Sequence, residues 1–273
     1  MNPIAFCRSC SSHHLTDVLS LGEQYLADFR SDNVLPPKFP LDLVLCEQCH
    51  LLQLKHTTPP DLMYNDNYGF KSSISNTIKA DLADIVQNAL LTVSIQEGDY
   101  VLDIGSNDGT LLANYPKEYK RVGIDPVVKF LPEARTQADI IINDYFNYDE
   151  IKKVVGDQKF KIITTISCFY DMSDCNQFVS DVTKILDPNG LWVIQQNYLV
   201  GMLTQNAFDN IVHEHVFYYS LLSLESLLKR YGLEVFHVEL NDINGGSFRT
   251  YIRFKKEQPT NISVLALRQG EKA

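Results

Sequence analysis

Between residues 100 and 254 the sequence alternates short apolar stretches with segments that have helical character. The apolar stretches are YVLDIG (100–105), RVGID (121–125), DIIIND (139–144), FKIITTIS (160–167), LWVIQQNYL (191–199), LEVFHVEL (233–240) and SFRTYIRF (247–254). Continuous apolar runs of this length are typical of strands buried on both faces. Strands that alternate with helices predict a doubly wound, Rossmann-like α/β sheet, here with seven strands.

The segments between these strands carry the helix signals. GTLLANY (109–115), CNQFVSDVTKIL (175–186) and SLLSLESLLKRYG (220–232) are predicted helices, the second closed by a DPNG turn and the third by Gly232. NDINGG (241–246) joins the last two strands without a helix, so these strands should be antiparallel. The final residues, ALRQGEKA (266–273), are predicted to begin a helix with nothing to pack on.

The first 50 residues contain two CxxC pairs, Cys7 with Cys10 and Cys46 with Cys49. Each pair forms a tight knuckle, and two knuckles provide the closed tetrahedral four-sulfur shell of a structural zinc ion. A redox CxxC would need a βαβ context, which is absent here. His13, His14 and His50 lie near enough in sequence to compete as ligands, but the four cysteines suffice. Cys168 and Cys175 are not expected to be ligands.

Charge and composition exclude several classes of partner. The formal charge is -10, the sequence pI is about 5.1, and no stripe of lysine and arginine is present. Nucleic acid and anionic membranes are therefore not expected as partners. No stretch resembles a signal peptide or a membrane span, so we expect a cytoplasmic protein whose six cysteines are reduced. The oligomeric state cannot be predicted.

These features divide the chain into four predicted parts. A zinc-binding module covers residues 1–60, and a tyrosine-rich loop with a linking helix covers 61–98. Residues 99–256 form the predicted cofactor-binding domain, and 257–273 form a tail that could begin a further domain.

Acidic residues follow the first three strands of the predicted sheet, where ligands of such sheets bind. The first strand ends in D-I-G-S-N-D-G (103–109), with GxxxG spacing rather than the GxGxxG of dinucleotide-binding proteins. Asp125 could accept hydrogen bonds from ribose hydroxyls, and Asp144 from an adenine amino group, with Phe146 near the ring. Together these positions predict S-adenosylmethionine rather than NAD. The predicted cofactor-binding residues are Asp103, Gly105, Ser106, Asn107, Asp108, Gly109, Asp125, Pro126, Asp144, Tyr145, Phe146, Ser167 and Phe169.

The stretch HEHVFYYS (213–220) follows the fifth strand and should lie at the same edge of the sheet. His213 and His215 would point to one side of an extended segment, but no third metal ligand is near in sequence. The residues alone leave three interpretations open: a metal clip, two histidines that bind loop carbonyls, or a catalytic acid–base group.

Several motifs together resemble those of the S-adenosylmethionine-dependent sugar C-methyltransferases of bacterial deoxysugar and surface-polysaccharide pathways. They are the two CxxC pairs, NYGFKSS, VLDIGSNDGTLL, GIDP, SCFYD, HEHVFYYS and NGGSF, in the family's order from residue 7 to about 250. The resemblance implies a class I methyltransferase domain that methylates the carbon next to the carbonyl of a nucleotide-linked keto sugar. It also implies a further C-terminal domain, which should begin near residue 273.

The resemblance also favours the catalytic interpretation of HEHVFYYS. His215 is then the predicted base that removes the α-proton, Glu214 orients it or holds a sugar hydroxyl, and His213 is the reserve candidate. Tyr68 and Tyr218 are further catalytic candidates. The predicted substrate-binding residues are Tyr68, Lys71, Tyr170, Asn197, Tyr198, Asn244 and Gly245. Alternative functions are an O- or N-methyltransferase on a related small polar substrate, or a cofactor-binding partner subunit without activity.

Overall fold

The computed structural model describes residues 2–27, 34–65, 67–257 and 260–272. Within these ranges the strands are β1 Leu15–Tyr25, β2 Lys38–Cys46, β3 Leu52–Leu54, β4 Tyr100–Ile104, β5 Lys120–Ile124, β6 Ile140–Ile142, β7 Phe160–Ile166, β8 Leu186–Asn197, β9 Phe217–Tyr218, β10 Leu233–Asn241 and β11 Ser247–Phe254. The α-helices are α1 Asn76–Thr92, α2 Leu131–Gln137, α3 Tyr148–Val155, α4 Cys175–Ile185, α5 Leu199–Gln205, α6 Leu221–Leu228 and α7 Ile262–Gly270. Short 3₁₀ turns, such as Ser72–Ile74 and Phe169–Asp171, link several of them.

The described residues form a seven-stranded sheet in the order β10-β11-β8-β7-β4-β5-β6. The central pairs β7–β8, β4–β7, β4–β5 and β5–β6 are parallel, whereas β11 is antiparallel to both β8 and β10. The predicted doubly wound sheet with antiparallel last strands is therefore confirmed. Because β4, β5, β7 and β8 run in the same direction, the loops that follow them meet at one edge of the sheet.

Three local predictions were wrong. GTLLANY forms only a short 3₁₀ turn at Leu112–Asn114, because Gly109 has a non-helical φ of +81 and Pro116 directly follows the segment. The DPNG segment lies inside β8, which begins at Leu186 directly after α4. The helix at the end of the chain does pack: α7 contacts β10, and Val264 is fully buried.

A second sheet belongs to the N-terminal part of the chain. Its order is β1-β2-β3-β9 within the described residues, and all three pairings are antiparallel. Strand β9 comes from the HEHVFYYS segment, far along the chain, and pairs Tyr218 with Leu52. The N-terminal module and the loop after β8 are thus parts of one hydrogen-bonded structure.

The hydrophobic core also joins the two sheets. Phe169 stacks on Tyr219 and packs edge-on against Trp192, and this cluster continues to Cys7 and Leu51 in the N-terminal module. No helix among the described residues is long and apolar enough to cross a membrane.

Candidate active site and metal centre

The four cysteine sulfurs converge in the N-terminal module. All four Sγ atoms lie within 4.8 Å of one another, with Cys7 3.6 Å from Cys49 and Cys10 3.5 Å from Cys46. Zinc–sulfur bonds of about 2.3 Å in a tetrahedron place the sulfurs about 3.8 Å apart, so the spacing fits zinc. It is too long for a disulfide, whose sulfurs lie about 2 Å apart.

Backbone geometry forms the two knuckles. The N–H groups of Ser11 and His50 donate to the carbonyls of Cys7 and Cys46, both at 2.9 Å, and both donor residues have a left-handed φ. Gln53 Nε2 donates to Cys7 Sγ at 3.2 Å, which favours a thiolate at that position. The metal group found among the described residues contains the cysteines alone, without the three candidate histidines.

At the edge of the large sheet, the glycine loop after β4 is tied to the NYGFKSS segment. The Asn107 side chain accepts from Ser72 N at 3.1 Å and donates to the Phe70 carbonyl at 3.1 Å. Asp108 Oδ2 accepts from Ser73 N at 3.1 Å. These bonds hold residues 70–73 over the loop. Asp108 therefore faces this segment rather than the cavity described next, which corrects its predicted cofactor contact.

A cavity opens beside this loop, at the ends of β4, β5 and β7. Asp125 lies in its wall, and its two carboxylate oxygens accept from Asn107 N and Val127 N, both at 2.8 Å. Burial raises the pKa of Asp125, while these two N–H groups act in the opposite direction. Each oxygen keeps one free lone pair for a second donor, such as a ribose hydroxyl. Further lining residues are Gly105, Pro126, Asp144, Tyr145, Phe146 and Ser167.

These contacts fit the adenosine part of S-adenosylmethionine. The cavity wall contains carboxylates, which can bind ribose hydroxyls. It also contains the apolar side chains of Ile104, Ile124 and Met172, which can pack against a purine ring. Asp103 and Ser106 lie deeper, in an adjoining pocket that shares Gly105 with the first. Burial raises the pKa of Asp103 to about 7, despite a hydrogen bond from Thr164 Oγ1 at 2.7 Å.

Two other predicted cofactor residues lie elsewhere. Gly109 packs against α2, where an added Cβ would lie 2.9 Å from Gln137 Cβ. Phe169 is fully buried in the aromatic core and lines none of these pockets. Both residues were predicted to contact the cofactor because they follow a strand in sequence. The backbone instead directs them into the protein interior.

A second cavity adjoins the first and shares Tyr68, Phe70, Ser167 and Asp171 with it. Its other polar lining residues are Tyr170, Asn197, Asp209, Asn210, Glu214, His215 and Asn244. No lysine or arginine is among the described residues that line either cavity. The predicted residues Tyr68, Tyr170, Asn197, Asn244, Glu214 and His215 are thus brought together around one polar space.

The two histidines of HEHVFYYS have different surroundings. His213 is buried, and its Nε2 lies 3.1 Å from the Phe39 carbonyl of β2. His215 lines the second cavity, with Nδ1 2.8 Å from the Asn210 carbonyl and its ring 4.3 Å from the Tyr170 ring centroid. A carbonyl only accepts, so Nδ1 of His215 carries the proton and Nε2 has a free lone pair. Burial lowers the pKa of His215 to about 4, so its neutral form prevails.

The other predicted substrate and catalytic residues do not reach the cavities. Tyr218 lies in a cluster around Leu43 and Leu54, and the Tyr198 hydroxyl donates to Glu271 at 2.9 Å. Lys71 forms an ion pair with Glu133 at 2.6 Å and lines neither cavity. Gly245 shapes the turn beside Asn210 but lines neither cavity. The Asn210 carbonyl and Tyr170, rather than Glu214, orient His215.

Sequence reasoning missed several lining residues. Tyr64, Val127, Cys168, Asp171 and Met172 belong to the first cavity, and Asp171 to both. In the sequence Asp171 is the last residue of the SCFYD motif (167–171), which follows β7. The residues around it do not distinguish it from an aspartate on the protein surface. Its position depends on the 3₁₀ turn Phe169–Asp171, which buries Phe169 and Tyr170 and turns the carboxyl toward the cavities.

Comparison with known proteins adds two family matches. Residues 76–238 match a family model described as a methyltransferase domain, and residues 7–64 match one described as a zinc-binding domain. The first match covers the helix α1, the glycine loop and most of the large sheet. The second contains all four clustered cysteines.

One curated relative and two solved structures are similar to this chain. C-methyltransferase NovU of Streptomyces niveus is 30% identical over 90% of this chain, which spans about 60% of the length of that relative. An S-adenosylmethionine-dependent methyltransferase of Clostridium acetobutylicum has 14% identity and a TM-score of 0.51, over 67% of this chain and 94% of that one. A methyltransferase solved with the Haloferax volcanii Trm112 activator has 15% identity and a TM-score of 0.50, over 66% and 95%. The two structures share the class I methyltransferase fold.

Proposed function

This chain belongs to the methyltransferase domain family, and we propose that it methylates a carbon next to the carbonyl of a nucleotide-linked keto-deoxysugar. The methyl donor of this class is S-adenosylmethionine, and the four-cysteine module carries zinc. The observation on which the proposal depends is the state of His215. Its neutral imidazole offers a free Nε2 lone pair to a cavity that adjoins the cofactor cavity.

Positioning comes first in such a reaction. We assign the ribose hydroxyls of the donor to Asp125 and the adenine side to Asp144, Tyr145 and Phe146. When bound, S-adenosylmethionine supplies an electrophilic methyl group on a sulfonium. Residues 70–73, held by Asn107 and Asp108, lie over the glycine loop, and Phe70 and Ser72 line the cofactor cavity.

The chain then has to create a carbon nucleophile. In this proposal His215 Nε2 removes the proton α to the carbonyl, and the electron pair of that bond forms the enolate. The Asn210 carbonyl holds Nδ1–H and so stabilises the imidazolium that results. His213 anchors the loop to the Phe39 carbonyl and takes no part in proton transfer.

The lining of the second cavity supports a sugar as the small-molecule acceptor. The side chains of Asn197, Asn210 and Asn244 can donate to or accept from hydroxyl groups, and Tyr68 offers a ring surface. The name of NovU, a C-methyltransferase, supports carbon rather than oxygen as the methylated atom. With no lysine or arginine among its described lining residues, the cavity suits the sugar, so we place the nucleotide diphosphate outside it.

The test is α-hydrogen exchange in heavy water. The protein is incubated with nucleotide-linked keto-deoxysugars and S-adenosylhomocysteine, so that no methyl group can be transferred. We expect the wild-type protein to introduce deuterium at the carbon next to the carbonyl, which NMR detects. His215→Gln should lower the rate of this exchange by about 10²–10⁴-fold. His213→Gln is the matched control and should keep most exchange if it folds.

Two outcomes would contradict the proposal. An O- or N-methyltransferase would transfer methyl groups from labelled donor while the wild-type protein exchanges no carbon-bound hydrogen. A non-catalytic partner subunit would bind the donor, as measured by calorimetry, with neither exchange nor transfer on any acceptor of the panel.

A further inference from the structure

Asp171 lies at the junction of the two cavities. It closes the 3₁₀ turn after β7, next to Tyr170, whose ring contacts His215. Its side chain lines both the cofactor cavity and the cavity that contains His215. A group that passes between the two spaces therefore passes this carboxyl.

One oxygen of the carboxyl, Oδ1, is buried beside the Tyr64 hydroxyl. Asp171 Oδ1 and the Tyr64 hydroxyl lie close enough to interact, although among the described residues neither atom forms a hydrogen bond of regular geometry. Buried polar atoms normally have partners, and exceptions concentrate where a ligand or a catalytic function accounts for them. Tyr64 can serve only one of the two carboxyl oxygens, so the other oxygen is available to a ligand at the cavity junction.

The surroundings favour the protonated form of this carboxyl. Burial raises the pKa of Asp171 well above its usual range, the charge of Glu214 acts in the same direction, and Tyr64 acts against both. Its other titratable neighbours are Tyr68, Cys168, Tyr170 and Tyr218, none of which brings a positive charge. A protonated carboxyl differs from a carboxylate because it has an O–H to donate.

We propose that the carboxyl of Asp171, in its protonated form, donates a hydrogen bond to the carbonyl oxygen of the substrate while His215 removes the α-proton. This role rests on the proposed C-methyltransferase function. The proton moves from the α-carbon to His215 Nε2, and the C–H electron pair becomes the carbon–carbon double bond. The former carbonyl π pair moves to the oxygen, which then carries the negative charge that the Asp171 O–H stabilises. No further reactant is required.

Two substitutions of Asp171 distinguish a hydrogen-bond donor from an ionised carboxylate that acts as a base. Asp171→Leu keeps approximate size but removes the donor, and should slow α-hydrogen exchange by about 10²–10³-fold. Asp171→Asn keeps an N–H donor that does not titrate, and should exchange within about tenfold of wild type. Exposed Asp157 lines neither cavity, so Asp157→Asn is the control for the same change of residue type and should exchange like wild type.

The pH profile of exchange gives an independent readout. The wild-type rate should fall at alkaline pH as Asp171 loses its proton, and Asp171→Asn should lack this fall. Affinity for S-adenosylmethionine and the melting temperature are measured for each variant, because a merely structural role would alter these instead. If Asp171→Leu does not fold, the profile of Asp171→Asn still decides.

The outcomes are distinct. Exchange by Asp171→Leu at the wild-type rate refutes the donor role alone. An inactive Asp171→Asn that folds and binds the donor means that the ionised carboxylate is required, which also refutes it. Absence of exchange in the wild type overturns the proposed function and this role together.

Discussion

The pH dependence of stability should reveal how the fold holds His215. Its Nδ1 donates to the Asn210 carbonyl and its ring packs on Tyr170. Burial lowers the pKa of this imidazole to about 4, whereas an unfolded histidine titrates near 6.5. Between these values the unfolded chain binds a proton at this position and the folded chain does not.

This difference has a definite sign. Between about pH 6.5 and 4 the unfolded state binds more protons than the folded state, so acidification favours unfolding. The stability that goes with the neutral imidazole is complete above about pH 6.5 and is lost as the pH falls toward 4. One pKa unit corresponds to about 1.4 kcal/mol, so the loss between about pH 7.5 and 5 should be about 2 kcal/mol.

The assay compares urea unfolding of the wild type and His215→Gln at several pH values in this range, with zinc present. Zinc release and all other titrations are common to both proteins, so their difference in unfolding free energy isolates residue 215. That difference should shrink by about 2 kcal/mol on acidification. His14→Gln, at an exposed position, should follow the wild type. If the unfolding free energies of the wild type and His215→Gln fall by the same amount on acidification, His215 is not a buried, neutral histidine.

The remaining predictions concern the cofactor cavity, the zinc module and the C-terminal helix. Asp125→Ala should weaken the binding of S-adenosylmethionine, with each lost hydrogen bond to the ribose costing at most about 1.5–3 kcal/mol. Unchanged affinity in calorimetry would show that the ribose binds elsewhere. Elemental analysis should find about one zinc per chain, and Cys46→Ser should lose it along with α-hydrogen exchange, because β3 holds β9. Exchange that survives complete loss of zinc would contradict this coupling. Glu271 accepts from Leu221 N at 2.6 Å and Leu222 N at 2.8 Å, so Glu271→Ala should lower the unfolding free energy by about 1–3 kcal/mol. Unchanged urea unfolding would show that α6 does not depend on this contact.

Much of the candidate site could be predicted because it depends on local rules. A buried strand that ends in glycine must turn there, and parallel strands bring their ends to one edge of the sheet. Asp125 and Asp144 follow such strands, so their place beside the first cavity was predictable from sequence. Paired CxxC knuckles are equally local, and their convergence followed from the chemistry of a closed four-sulfur site.

Several failures at the site share one cause, which is that a position in sequence does not determine the direction of a side chain in a loop. Asp108 and Gly109 lie beside Gly105, yet one holds residues 70–73 and the other packs on α2. Lys71 belongs to a segment that covers the cofactor cavity, but its ammonium group turns outward to Glu133. Such directions follow from φ and ψ angles and from packing partners far along the chain.

By itself the sequence determined the seven strands of the large sheet, the four zinc ligands and the edge of the sheet that carries the site. These depend on periodicity, strand ends and knuckle spacing, which are properties of neighbouring residues. Only the tertiary structure decided which histidine faces the cavity, because His213 is held by Phe39 of another sheet and His215 by Asn210. It likewise brought Asp171 to the junction of the two cavities. Both outcomes require contacts between residues distant in sequence, whose geometry is set when the whole core packs.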